Sequence, residues 1–239
     1  MYLCARFISI HRHMTPNYYE NEPSYKVAVD CIIFGFEGES LQVLFQRRSI
    51  KPCVGEMTPL GGFVKESESL DEAAHRVLTE RTGIKDIFLE QLEAFGDINR
   101  DPGGRVISVA YFALINKAHY NTQLLSKYDC KWINMQELPV LHFDHLKMLK
   151  KAMVRLQDRI GYTPIALNLI PEEFTLSQMQ RLYEAILGEQ LDKRNFRKRV
   201  CQMPYFIKTD RKDKSGSKRG AAIYTFDYKM YQALKNYHL

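Results

Sequence analysis

A chain of 239 residues and 28.0 kDa buries a substantial core and has room for two ordinary domains. Hydrophobic residues make up 45% and charged residues 26%, with no apolar run of bilayer-spanning length, so an integral helical membrane protein is excluded and a cytoplasmic one expected. The net charge of +6 is unevenly placed: residues 1–162 carry 20 Lys and Arg against 20 Asp and Glu, and residues 163–239 carry 14 against 8. The surplus therefore sits in the last third, where a polyanion would release condensed counterions on binding.

Residues 1–24 read as an N-terminal extension. Residues 1–13 contain Arg6 and Arg12 and lack both a long apolar stretch and a small-residue cleavage site, so they make a poor signal peptide. Met14 precedes the polar TPNYYENEP and is the expected true start. Residues 25–36, rich in Val, Ile and Phe, and residues 41–46, across a Glu-Gly-Glu-Ser turn, predict a hairpin. Gly61 and Gly62 lead to a helix that opens on the capping box Ser69-x-x-Glu72 and closes at Gly83, with Ala73, Ala74, Val77 and Leu78 as its apolar stripe. Residues 87–95, 106–115 and 132–133 predict further strands, the first two around the turn Asp101-Pro102-Gly103-Gly104. Leu146, Leu149, Met153 and Leu156 have helical spacing, and residues 161–164 interrupt it. The domains are therefore expected at 25–160 and 161–239.

The second domain begins with the apolar PIALNLIP, followed by a helix introduced by residues 174–177 and stopped by Gly188. After a short turn, Asp192 caps a second helix reading KRNFRKRVCQM, which gives a helix-turn-helix. Phe196 and Val200 are four apart and dock this helix inward, leaving Arg194, Arg197 and Lys198 on another face. Lys193, Arg194 and Asn195 occupy the first turn, where arginine pairs with guanine and asparagine with adenine in bidentate geometry. Residues 205–209 and 221–226 predict two strands joined by DRKDKSGSKRG, a wing whose Lys212, Lys214, Lys218 and Arg219 reach phosphates. A solvated basic face explains the helix alone equally well; helix, turn and basic wing together favour double-stranded DNA.

The five cysteines, Cys4, Cys31, Cys53, Cys130 and Cys201, are odd in number and scattered, with no C-x-x-C pair and no clustered histidines. Neither a metal site nor another cofactor is expected. Asp30 lies inside VAVDCIIF, where a buried carboxylate needs a partner. Arg47, Arg100 and Asp101 are candidates to line a cleft with it and to hold sugar hydroxyls, and an internal Asp–Arg ion pair without ligand is the alternative.

The segment GGFVKESESLDEAAHRVLTERTGI resembles the Nudix box, with Gly62, Glu68, Arg76, Leu78, Glu80, Gly83 and Ile84 in register. The resemblance covers roughly residues 25–155. It implies a mixed-sheet α/β/α sandwich, and with the winged helix-turn-helix behind it the chain reads as an α+β protein. In Nudix hydrolases three helix glutamates ligate magnesium; here their positions hold Val77, Glu80 and Arg81. One carboxylate remains, so the resemblance implies a retained scaffold without hydrolysis, its cleft left for sensing. Gly62 and Gly83 serve tight turns, and Glu68 and Arg76 resemble the pair that braces the loop.

A Nudix-like domain followed by FTLSQMQRLYEAILGEQLDKRNFRKRV and GSKRGAAIY resembles the Nudix-related transcriptional regulators. The resemblance implies a homodimer on a roughly palindromic operator, released by a small-molecule effector. AFGDINRDPGGRVISVAYFALI, together with the lost metal residues, is closer to the L-arabinose-responsive branch, so a sugar effector and control of sugar use are expected. The alternatives are an ADP-ribose-sensing regulator of NAD metabolism and an active Nudix pyrophosphohydrolase.

Overall fold

A strand that is apolar at nearly every position must be covered on both faces, and β1 (Lys26–Glu37) is such a strand. The computed structural model describes residues 18–120, 122–160, 164–215 and 219–236. On one edge β1 runs parallel to β6 (Val106–Ile115), from Lys26 opposite Val106 to Gly35 opposite Ile115. Its other edge is divided. β4 (Leu60–Phe63) pairs antiparallel with Ala28–Cys31, and β2 (Ser40–Arg47) pairs antiparallel with Phe34–Glu37. β3 (Met57–Thr58) and β7 (Cys130–Asn134) join β2, and β5 (Glu90–Phe95) lies antiparallel to β6, completing a mixed sheet.

Alternation along β1 sends Val29, Cys31 and Ile33 to one face and Ile32 and Phe34 to the other. The first face is covered by α1 (Leu70–Thr82), through Ala73, Ala74, Val77 and Leu78, and by Leu125 of α2 (Thr122–Lys127). The second is covered by α3 (His145–Ile160), through Met148, Leu149, Ala152 and Leu156. The expected α/β/α sandwich is thus formed. The α1 caps are those read from sequence: Ser69 and Glu72 form the capping box, and Gly83 closes the helix at φ 73°. The strand expected from residue 87 starts at Glu90, although Ile87 and Leu89 before it are buried. The helical stripe read as far as Leu156 continues one turn further to buried Ile160, where α3 ends just before residues 161–164.

PIALNLIP forms a 3-10 helix, Pro164–Leu169. The rest comprises β8 (Phe174–Thr175), α4 (Leu176–Leu187), α5 (Lys193–Gln202), β9 (Phe206–Asp213), β10 (Ala221–Phe226) and α6 (Tyr228–Asn236), with strand order β8-β10-β9. This is a winged helix. The wing loop is shorter than expected because β9 runs on to Asp213, which places Lys212 on a strand. The two units share a core: Leu182 and Ile186 of α4, Phe174 and Val200 belong to the same buried cluster as Phe34, Phe45 and Leu156. Among the described residues no helix is long and apolar enough to cross a membrane. Met14, expected as the start, lies outside the described residues.

Candidate functional site

The cleft forms where the edge of β1 passes from β4 to β2. Asp30 sits there opposite Gly61, and a Cβ on Gly61 would lie 2.5 Å from Asp30 Oδ1, so glycine is required for the carboxylate to fit. Asp30 is 7% exposed. Ser108 Oγ, on β6 two residues before Ala110, the register partner of Asp30, donates to Asp30 Oδ2 at 2.5 Å, and Arg100 Nη2 lies 3.7 Å from the same oxygen. Arg100 spends its fork on Asp144, with bonds of 2.8 and 2.7 Å that tie the loop after β5 to the start of α3. His145 Nε2 is 3.7 Å from Asp30 Oδ1, and among the described residues its Nδ1 has no hydrogen-bond partner. Burial holds the His145 imidazole below its ordinary pKa, against the pull of Asp30 and Asp144. With a neutral His145, two carboxylates face one guanidinium in this cluster.

A cavity of about 120 Å³ opens over the cluster, lined by Asp30, Arg48, Arg81, Arg100, Asp101 and His145 among others. It encloses one ring or one phosphate; a nucleotide-sized ligand needs roughly 300 Å³ or more, so most of it would lie on the open side. Of the four residues expected to line the cleft, Asp30, Arg100 and Asp101 come together there. Arg47 does not: its Nε lies 3.3 Å from Asp129 and its Nη1 donates to Gly55 O at 2.8 Å. Arg48 takes the place instead, its Nε donating to Pro52 O at 2.6 Å and its guanidinium 4.9 Å from the centre of the Phe143 ring. Strand alternation was the overlooked signal, since it puts Gln46 and Arg48 on one face and Arg47 on the other. Larger cavities of about 890 Å³, between the end of β6 and the winged helix, and about 470 Å³, beneath α5, lack such a convergence of charge with the Nudix box.

The Nudix-box residues divide into brace and wall. Glu68 accepts two bonds from Arg76, at 2.7 and 2.5 Å, and one from the Lys65 amide at 2.8 Å. The hydrogen bonds from Arg76 hold the Glu68 carboxyl at a pKa of about 2. Arg76 also donates to Phe63 O and to Glu80, which locks the loop onto α1. Val77 is 1% exposed, and a Cβ on Gly62 would meet its methyl at 2.7 Å, so Gly62 and Val77 are fitted to one another. Glu80 is engaged by Arg76 and lies 3.8 Å from Lys65, while Arg81 lines the cavity. This donor set does not fit the magnesium that the Nudix resemblance implies: a hydrocarbon, a paired carboxylate and a cation offer too few free oxygens. Among the described residues no group of three or more His, Cys, Asp or Glu could hold a metal ion.

The second candidate surface is α5 with the wing. Asp192 caps α5 by accepting from the Asn195 amide at 2.8 Å. Val200 is 3% exposed, and the Phe196 ring meets Tyr183 of α4 edge-on at 5.8 Å, which fixes the inward face. Lys193, Arg194, Asn195, Arg197 and Lys198 are exposed, Asn195 also lining the cavity beneath α5 and Arg197 reaching Ser177 Oγ at 3.4 Å. Lys214 and Arg219 are exposed on the wing, and Lys218 lies outside the described residues. At φ 70°, Gly220 takes a backbone conformation that favours glycine where the chain re-enters β10.

Residues 24–153 match the NUDIX domain family, and residues 166–226 match the NrtR DNA-binding winged helix domain family. The ADPR responsive transcriptional repressor NtrR of Acinetobacter baylyi is 37% identical over 208 residues, covering 85% of this chain and 83% of that protein. Shewanella oneidensis NrtR complexed with a 27mer DNA superposes with a TM-score of 0.74 at 32% identity, covering 84% of this chain and 93% of that one. The NUDIX domain of Shewanella oneidensis NrtR, complexed with ADP ribose, gives a TM-score of 0.51 at 32% identity over 59% of this chain and 94% of that one. The chain therefore belongs to the NrtR family, in which a Nudix domain is joined to a DNA-binding winged helix.

Proposed function

We propose that the chain is a DNA-binding transcriptional repressor, homodimeric on a double-stranded operator, whose Nudix domain senses ADP-ribose or a closely related nucleoside diphosphate sugar. The observation that carries this reading is the shared core: one buried cluster joins the sheet beneath the cleft to α4, which supports the exposed basic helix α5. An effector releases DNA only by binding the DNA-incompatible conformer more tightly, and a common core lets the cleft bias where α5 sits. The expectation of L-arabinose gives way to its alternative. A relative that spans both domains is named an ADPR responsive repressor, a solved NUDIX domain of NrtR is complexed with ADP ribose, and the guanidinium groups of Arg48 and Arg81 suit a phosphate-bearing ligand better than a neutral sugar. Val77 and Arg81 weigh against hydrolysis as the main activity.

The test begins with duplexes selected by the protein from a random library, followed by shift assays at fixed salt with ADP-ribose or L-arabinose added. ADP-ribose is expected to release the duplex and arabinose to leave it bound. Arg194→Ala and Arg197→Ala are expected to weaken binding at least about ten-fold each without unfolding the protein. Release by arabinose alone, or duplex binding unchanged in both variants, would overturn the reading.

A further inference from the structure

Arg48, Arg81 and Arg100 line the cavity, Arg47 is the chain neighbour of Arg48, and Arg76 shares α1 with Arg81; three of these five are already spent. Arg76 is neutralised by Glu68 and Glu80, Arg47 by Asp129, and Arg100 by Asp144. Arg48 and Arg81 both line the cavity, and among the described residues neither has a carboxylate within ion-pair distance. Arg81 stands in the last turn of α1, beside Gly61 and Gly62 in the cavity wall, at a position where the Nudix resemblance places a magnesium-ligating glutamate. Its charge is favourable at a helix C-terminus, where carbonyl dipoles converge. A divalent cation brought to the same wall would find a buried Val77 where a carboxylate is needed, a Glu80 already paired, and the repulsion of Arg81 itself.

We propose that the Arg81 guanidinium takes the place of the Nudix metal and, with Arg48, clamps the diphosphate of the effector directly, so that effector binding needs no divalent cation. The inference rests on the nucleotide-sensing reading above. Two guanidinium forks supply what a metal ion supplies to a diphosphate, positive charge at the non-bridging oxygens, and add directional bidentate hydrogen bonds. Arg48 is suited to the part: its Nε is held by Pro52 O and its guanidinium lies over the Phe143 ring at 4.9 Å from the centre, which restrains the side chain and leaves its Nη groups for a ligand. The clamp moves no electrons and breaks no bond; it is a binding device.

Calorimetric titration of the full chain decides the matter, with ADP-ribose and inorganic pyrophosphate as probes, each in EDTA and in excess magnesium. Expected are equal ADP-ribose affinities in the two buffers, a loss of about ten-fold or more for Arg81→Gln and for Arg48→Gln, and partial retention in Arg81→Lys. Retained duplex binding and an unchanged circular dichroism spectrum establish that the variants are folded. A requirement for magnesium, or an Arg81→Gln variant with wild-type affinity, overturns the clamp. If ADP-ribose binds in neither buffer, the nucleotide reading fails by itself and pyrophosphate judges the clamp: binding in EDTA that Arg81→Gln abolishes supports it, and absence of binding overturns it.

Discussion

Glu68 shows how one side chain fastens the loop before α1: three donors converge on its carboxylate, from Arg76 twice and from the Lys65 amide. These bonds are made to the ionised form, so the folded pKa of about 2 lies below the ordinary 4.5. A depressed folded pKa contributes stability that is complete above about 4.5 and lost as pH falls through about 2. Glu68→Gln is therefore expected to lower the urea midpoint at pH 7 and to flatten the fall in stability between pH 4.5 and 2. Urea titrations of both proteins across that range check this, and parallel curves would refute it. The pairing of Glu68 with Arg76 was legible because both lie in one spaced motif. That Asp30 needs partners was legible from the cost of burying a carboxylate, and Arg100 was among the candidates, whereas Ser108 and His145 were not. Ser108, Arg100 and His145 come from a parallel neighbour strand, a loop and the start of α3, and only the sheet topology brings them together.

Elements whose ends are fixed by local chemistry were the ones that could be read. The α1 box Ser69–Glu72 and the Asp192 cap of α5 each use a side chain three residues from the amide it satisfies. α4 begins the same way, with Thr175 and Gln178. α6 was overlooked although Asp227 gives the same signal, accepting from the Met230 amide at 2.9 Å. The short strands β3 and β4 carry too few residues to show a period, and their partners β1 and β2 lie elsewhere in the chain. Because Asp192 alone caps α5 by side chain, Asp192→Ala is expected to cost about 1 kcal/mol, and Asp192→Asn, which keeps an acceptor, only a fraction of that. The two carry different consequences for DNA. Asp192→Asn removes a negative charge next to Lys193 while the helix stays capped, so it is expected to tighten duplex binding modestly. Urea melts and shift assays on both variants check the order, and equal stability of Ala and Asn would show that the cap contributes nothing.

At the scale of the whole molecule, the charge asymmetry announced a separate nucleic-acid module, but no local pattern announced that the module shares its core with the sandwich. α3 is the joint. Its first residues meet the cleft through Asp144 and Arg100, and near its far end Gln157 Nε2 donates to Ile186 O of α4 at 2.8 Å. Leu182 and Ile186, both fully buried, lie in one cluster with Phe34 and Leu156, so removing apolar volume from α4 also withdraws contacts from α3 and β1. Leu182→Ala is expected to cost about 2–5 kcal/mol. The loss should appear in both units at once. Trp132, the one tryptophan of the chain, sits in β7 and packs against the α1-side core, so its fluorescence follows the sandwich, whereas far-UV ellipticity also follows the helices of the winged unit. The expected outcome is a single transition in the wild type, coincident by the two probes, that shifts as a whole to lower urea in Leu182→Ala. An early loss of ellipticity with the Trp132 signal left at its wild-type midpoint would mean that the winged unit unfolds by itself, and the core would then be shared in geometry but not in energy.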